Sequence, residues 1–345
     1  MEPRLKPPLR DLTLGRELER EDLPEDPADF LRLLGGPTLL RLPGRDPSRT
    51  RVVTTLLHGN EPSGLHAILR YLRSPNRPIP DVLFFIASVD AALEPPGFTH
   101  RALPGVIDAN RCWRPPFPQE AGDVAEAVLG ALFEAKPECL VDLHNNSGHN
   151  PAYGVAFSLG HAERSLVSLF ADRVVHTPLE LGTIVEATVA HFPSVTIECG
   201  RGGDPVADEV AWSGLLRFLE WEQIDFERPV QPLAVYEDPI RVCVREGVTL
   251  DFAEVRRPEV DLTISASVDR HNFETLAAGT PIGWLLPEGD WPLEAWDAAG
   301  EECSQALFVN DEGVLRARSP RIPIMMTTNR VIAESDCLFY SVKLA

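Results

Sequence analysis

Residues 51–72, RVVTTLLHGNEPSGLHAILRYL, constrain the fold more than any other stretch. The unbroken apolar run RVVTTLL has no polar alternation, as expected of a strand covered on both faces. It meets His58-Gly59-Asn60-Glu61, and Leu65, Ile68, Leu69 and Leu72 then follow at helical spacing, with Pro62 suited to the first turn. A buried strand that gives way at once to a helix is one unit of an α/β sheet, and ligands of such sheets collect at the carboxyl ends of the strands.

The same rhythm continues. DVLFFIASV, ECLVDLH, AYGVAFSL and SVTIECG read as further strands. Residues 123–135, HAERSLVSLFADRVV and PVADEVAWSGLLRFLEWEQI read as helices. Residues 1–48 read as a charged lead-in that closes on a short strand or hairpin at PTLLRLPG. From residue 229 onward, short strand-like pieces alternate with turns, among them IRVCV, GVTLDF, DLTISASV, GTPIGWLL, IPIMMT and CLFYSVKL. The expected architecture is an α/β domain over residues 1–228, its sheet flanked by helices, followed by a smaller β-rich domain over residues 229–345.

Composition removes some classes of function. The net charge of −20 argues against nucleic acid or an anionic membrane as partner, and no apolar run reaches the length of a membrane span. The charged N-terminus lacks the apolar core of a signal peptide, and the six cysteines show no C-x-x-C pair. Reduced, buried thiols and a cytoplasmic location are the expectation.

Chemistry gathers at the strand ends. His58 and Glu61 follow the first long strand, His144 follows CLVDL, and Glu198 lies at the end of SVTIECG. Two histidines and one carboxylate form a zinc set that leaves a coordination position for water, and a further carboxylate beside it can take that water's proton. Each of these side chains alone reads as a hydrogen-bonded core residue. Their shared placement at one sheet edge is the stronger signal, because such groups are costly to bury without partners. Asn110 and Arg111 follow the strand DVLFFIASV, and a guanidinium fork suits a carboxylate.

Four motifs in this order, LLHGNEPSG, DANRCW, VDLHNNSG and TIECG, make the chain resemble the succinylglutamate desuccinylase/aspartoacylase family, a branch of the zinc carboxypeptidase-like hydrolases. The resemblance covers roughly residues 50–220, and HNFETLAAGTPIGWLL is more loosely similar to the family's β-domain. It implies a carboxypeptidase-like mixed sheet and one zinc ion held by His58, Glu61 and His144, with Glu198 as general base. Asn110 and Arg111 would bind a substrate carboxylate. Arg101 would polarise the scissile carbonyl, although it lies two residues further from its motif than the family's arginine. The implied activity is deacylation of a small N-acyl amino acid. A carboxypeptidase or peptide-like amidase built on the same centre, or a metal-binding scaffold without activity, is the alternative. The sequence leaves the oligomeric state open, a homo-oligomer included.

Two departures concern recognition of the substrate. Aspartoacylases carry an arginine about ten residues before the catalytic glutamate, whereas no arginine lies between Val174 and Glu198 here. LFVNDEGVLRAR keeps Phe308, Val309 and Asn310 of the family's C-terminal motif but offers no tyrosine. N-acetyl-aspartate is therefore not the expected preferred substrate.

Overall fold

The computed structural model describes residues 9–118, 121–178, 180–226, 228–286, 289–297 and 299–345. These form two compact units. The first comprises residues 9–145, 152–174 and 180–233, and the second 146–151, 175–178 and 234–345.

In chain order the elements up to residue 220 are β1 (Arg10–Thr13), α1 (Pro27–Leu34), β2 (Thr38–Leu42), β3 (Asp46–Thr55), α2 (Ser63–Arg73), β4 (Pro80–Ile86), α3 (Val89–Leu93), α4 (Ala121–Ala135), β5 (Cys139–Asn146), β6 (Tyr153–Ala156), α5 (His161–Ser168), β7 (Arg173–His176), α6 (Ile184–Thr188), β8 (Ser194–Arg201) and α7 (Pro205–Glu220). The strands lie in the order β1-β2-β4-β3-β5-β8-β6-β7. The sheet is mixed: β3 pairs in parallel with both β4 and β5, while β2 runs antiparallel to β4 and β6 antiparallel to β8.

Alternation along the strands sends side chains to two buried faces. Val52, Leu83, Phe85 and Leu140 pack with Val128, Leu129 and Leu132 of α4 and Ile184 and Val185 of α6. The opposite face carries Arg51 and Val53, and Arg51 reaches the carbonyl of Phe218 in α7. Tyr71 of α2 and Trp212 of α7 lie with ring centroids 6.5 Å apart, and the Arg70 guanidinium sits 4.0 Å over the Trp212 ring. Burial on both faces explains why the strands read as continuous apolar runs.

Local signals set the element boundaries. Asp26 accepts from the Asp29 amide and Pro27 opens α1, which ends on Gly35 in the left-handed region. Asp204 and Pro205 start α7 in the same way. The lead-in is thus more structured than its charge suggests, with β1 and α1 preceding β2. The stretch HAERSLVSLFADRVV is not one helix. α5 stops at Ser168, and the β-branched pair in RVVH belongs to β7.

The second unit continues with β9 (Ala234–Val244), β10 (Leu250–Phe252), β11 (Leu262–Ile264), β12 (Pro281–Leu285), β13 (Leu293–Trp296), α8 (Ser304–Leu307), β14 (Phe308–Asp311), β15 (Val314–Ala317), β16 (Ile322–Ile324), α9 (Arg330–Ser335) and β17 (Phe339–Leu344). β17 pairs antiparallel with both β9 and β16, and β13 pairs with β9. A separate five-stranded sheet has the order β10-β11-β12-β15-β14. Its core includes Leu250, Leu262, Ile264, Ile282, Leu315 and Phe339. This is the smaller β-rich part that the short strand-like pieces pointed to. All six cysteines are free thiols. Among the described residues no helix is long and apolar enough to cross a membrane.

Candidate metal centre

β3 ends at Thr55, and the chain turns through residues 56–62 before α2 begins. Gly59 permits that turn. A Cβ there would lie 2.6 Å from the Ala92 backbone nitrogen and 2.7 Å from the His100 carbonyl oxygen, so a side chain cannot fit. The tight path brings His58 and Glu61 together, with His58 Nδ1 2.8 Å from Glu61 Oε1.

β5 delivers the second histidine. His144 Nδ1 lies 2.6 Å from Glu61 Oε2, and the two imidazole centroids are 5.0 Å apart in an edge-on arrangement. His58, Glu61 and His144 are all buried, and each offers one ligand atom within 4.8 Å of the others. The structure thus brings together three residues that stand up to 86 positions apart in sequence (144 − 58).

Each histidine is gripped from behind. His58 Nε2 is 3.1 Å from Asp108 Oδ1, and His144 Nε2 is 2.8 Å from Asp142 Oδ2. A carboxylate on Nε2 holds a proton there, so that a cation displacing the Nδ1 proton would find the Nδ1 lone pair facing inward, the arrangement of metal-ligating histidines. Asp142 is itself fixed by the Thr54 hydroxyl, which donates to Oδ1 at 2.6 Å. Asp108 Oδ1 also accepts from the Asn110 amide at 2.7 Å, and Asp108 Oδ2 from Arg101 Nε at 3.0 Å.

The electrostatics follow the geometry. Burial works against ionising Glu61, but His58 and His144 outweigh it and hold the carboxyl well below the ordinary range. For Asp108 burial is likewise overcome, by His58, Arg101 and Arg111. Burial opposes a charge on His144, yet Asp142 and Glu61 raise its pKa well above the usual imidazole value. Three carboxylates, Glu61, Asp108 and Asp142, surround two imidazoles whose inner nitrogens converge on Glu61. That donor chemistry fits a divalent cation of the zinc type.

Glu198 lies on β8, next to β5 in the strand order, and is 6% exposed. Burial pushes its carboxyl up to about 8, with His144 and Arg101 opposing the shift and Glu61 and Asp142 adding to it. It is the carboxyl in this neighbourhood whose pKa is displaced toward neutrality, the range in which a general base works.

The other three residues singled out in the sequence are also placed. Arg101 directs Nε and Nη2 at Asp108 Oδ2, each at 3.0 Å, and Nη1 lies 4.0 Å from Glu61 Oε1. Asn110 is 5% exposed, and its side-chain oxygen accepts from the Ile184 amide at 3.3 Å. Arg111 is half-buried, with Nη1 donating to the Asn110 carbonyl at 2.9 Å. Arg101 and Asp108 therefore join the centre directly, while Asn110 and Arg111 reach it through the Asp108 loop.

Sequence reasoning did not assign roles to Asp108 and Asp142. Asp142 stands two residues before His144 on one strand, so the strand period places it on the same face, and that signal was available. Asp108 meets His58 through a loop contact fifty positions away in sequence (108 − 58), which no local pattern encodes.

Solved structures that share this mixed α/β fold are similar to the chain. A succinylglutamate desuccinylase/aspartoacylase from Rhodobacter sphaeroides is 15% identical, with 88% of this chain and 87% of that chain covered at a TM-score of 0.56. A succinylglutamate desuccinylase from a Silicibacter species is 16% identical over 88% of each chain at 0.55. Its counterpart from Vibrio parahaemolyticus is 16% identical over 88% and 83% at 0.56. The chain has the fold of the succinylglutamate desuccinylase/aspartoacylase structures. No protein-family model and no curated protein matches the sequence.

Proposed function

We propose that the protein is a zinc-dependent hydrolase that deacylates a small N-acyl amino acid. The observation that carries this reading is the convergence of His58 Nδ1, Glu61 and His144 Nδ1, each histidine backed by a carboxylate, beside the buried Glu198. The likeness of fold to desuccinylases supports the choice of reaction class.

His58, Glu61 and His144 would hold the metal. A bound zinc ion supplies Lewis acidity and lowers the pKa of a coordinated water. Glu198 takes the proton from the attacking water and delivers it to the departing amide nitrogen. A buried carboxyl held at the end of β8 can accept a proton and return it without exchanging it with bulk water. Asp108 and Asp142 keep the Nε2 protons in place and so fix the orientation of both imidazoles. Arg101, whose guanidinium is held by Asp108, would stabilise developing negative charge on the scissile carbonyl oxygen. Arg111, with the amide nitrogen of Asn110, would anchor the substrate carboxylate and set the angle of attack.

Selectivity follows from the sequence departures. Without the aspartoacylase arginine before Glu198 and without the C-terminal tyrosine, a second substrate carboxylate would lose its water with too few partners. Arg114 forms an ion pair with Glu180, and Arg316 forms one with Asp311.

The test is kcat/KM for a panel of N-acetyl and N-succinyl amino acids with zinc-loaded protein, with a free α-carboxylate or a matching amide. The expected result is hydrolysis of a substrate other than N-acetyl-aspartate as the best of the panel. Arg111→Ala should raise KM for the acids on the order of tenfold or more and change the amides little, because a charged hydrogen bond of about 1.5–3 kcal/mol is removed. Equal losses for acid and amide would remove Arg111 from its role. Cleavage of C-terminal peptide bonds alone would turn the reading toward a carboxypeptidase.

A further inference from the structure

Next to His144 on β5 lies Asn145, 3% exposed, whose hydrogen bonds reach two other segments of the chain. Its backbone amide donates to Glu61 Oε2 at 3.2 Å. Its side-chain oxygen accepts from the Ser63 amide at 3.0 Å, two residues beyond Glu61. Its side-chain nitrogen donates to the Ser63 hydroxyl at 2.9 Å and to the Gly200 carbonyl at 3.1 Å, two residues beyond Glu198. Gly200 has φ +121°, a conformation open to glycine but strained for other residues, at the point where the strand end meets Asn145.

We infer that Asn145 is the positioning residue of the centre, its amide tying the chain after β3, the end of β5 and the end of β8 into one frame that holds Glu61, His144 and Glu198 in register. The inference rests on the metal-centre reading above and goes beyond it, because Asn145 is neither a ligand nor a proton carrier in that reading. The physical argument is one of economy. The four candidate residues are supplied by three different strand ends, and each end could drift independently by the few tenths of an ångström that ligand geometry does not tolerate. A single planar amide with both its oxygen and its nitrogen engaged fixes all three at once. The side-chain amide acts on the segments that carry the ligands and not on a ligand atom, and loss of an outer support of this kind weakens metal binding about 10–100-fold.

The frame is anchored outward. The Ser63 hydroxyl donates to Asp208 Oδ1 at 2.6 Å, and Asp208 Oδ2 lies 3.0 Å from His66 Nδ1. Ser63 and His66 belong to α2 and Asp208 to α7, so the two helices on that face brace the clamp.

The experiment measures two quantities in wild type, Asn145→Ala and Ser63→Ala. One is zinc affinity by competition with a chromophoric chelator. The other is amide hydrogen exchange in chelator-treated protein. For Asn145→Ala the expected result is zinc affinity weaker by about 10–100-fold. The amides of residues 63 and 145 should exchange at least roughly tenfold faster, while those of Val52, Val53 and Leu140 keep their protection. Ser63→Ala removes only the hydroxyl link and should give a smaller loss of the same sign in both. It also serves as the test if Asn145→Ala does not fold. Unchanged zinc affinity together with unchanged exchange at residues 63 and 145 overturns the inference. If wild type binds no zinc, the metal reading fails, and the exchange result still decides whether Asn145 is the clamp.

Discussion

The two ends of β3 and β5 carry buried charge to opposite effect. Midway along β3, opposite the first residue of β5, Arg51 is wholly buried. It donates through Nε to Glu138 at 2.9 Å, through Nη1 to the carbonyls of Phe218 and Trp221, and stacks 5.7 Å from the Phe218 ring centroid. Arg49 joins the same carboxylate at 2.6 Å and also donates to the Glu222 carbonyl. Every contact there fastens one chain segment to another. At the far end of the same strands, the potential ligand atoms of His58, Glu61 and His144 converge within 4.8 Å of one another, and Asp108, Asp142 and Asn145 hold them there. Burial of charge is common to both ends. What separates a fastening from a site is that the contacts of Arg49 and Arg51 each tie two segments together, whereas the ligand atoms of His58, Glu61 and His144 converge.

The comparison is broken if the two ends respond alike to substitution. Arg51→Ala leaves a cavity and strips Glu138 of one partner, so the loss of stability should be about 3–5 kcal/mol by urea unfolding, with zinc bound per folded chain unchanged. Asp142→Asn exchanges a charged grip on His144 for a neutral one. It should cost less stability but weaken zinc binding about 10–100-fold. Large metal loss from Arg51→Ala, or none from Asp142→Asn, would show that the division between the two ends is wrong.

A pH-dependent effect bears on Glu198. Its folded-state pKa is raised from 4.5 to about 8, so between those values the folded chain holds a proton that the unfolded chain has released. Stability must therefore fall as pH rises through that window, and the contribution is fully favourable only below it. The slope cannot exceed about 1.4 kcal/mol per pH unit for one proton. In chelator-treated protein, wild type should lose stability relative to Glu198→Gln from about pH 4.5 to about pH 8, and the two should run parallel on either side. Parallel curves throughout would mean that Glu198 is not a desolvated carboxyl.

Much of this was legible in the sequence, for physical reasons. Strands covered on both faces must be continuously apolar, so a histidine or glutamate at the end of such a run stands out. That is how His58, Glu61, His144 and Glu198 could be grouped before any fold was known. α1 was missed although Asp26-Pro27 is a capping signal, because the charged residues around it masked a short apolar stripe. β7 was absorbed into the preceding helix because RVVH is too short to show a period of its own. Asp108 and Asn145 act through contacts that only the folded chain creates, Asn145 by reaching Ser63 and Gly200 across two strand ends. The local sequence gives the residues of the centre, whereas their supports depend on tertiary approach.

The central claim is that His58, Glu61 and His144 form a zinc site. The direct measurement is zinc content, with X-ray absorption at the zinc edge, for wild type and His144→Ala. The account predicts about one zinc per wild-type chain, with nitrogen and oxygen ligands at about 2.0–2.2 Å and no sulfur, and little or none in His144→Ala. Wild type that binds no added zinc, or zinc held through cysteine sulfur or retained in full by His144→Ala, would contradict it.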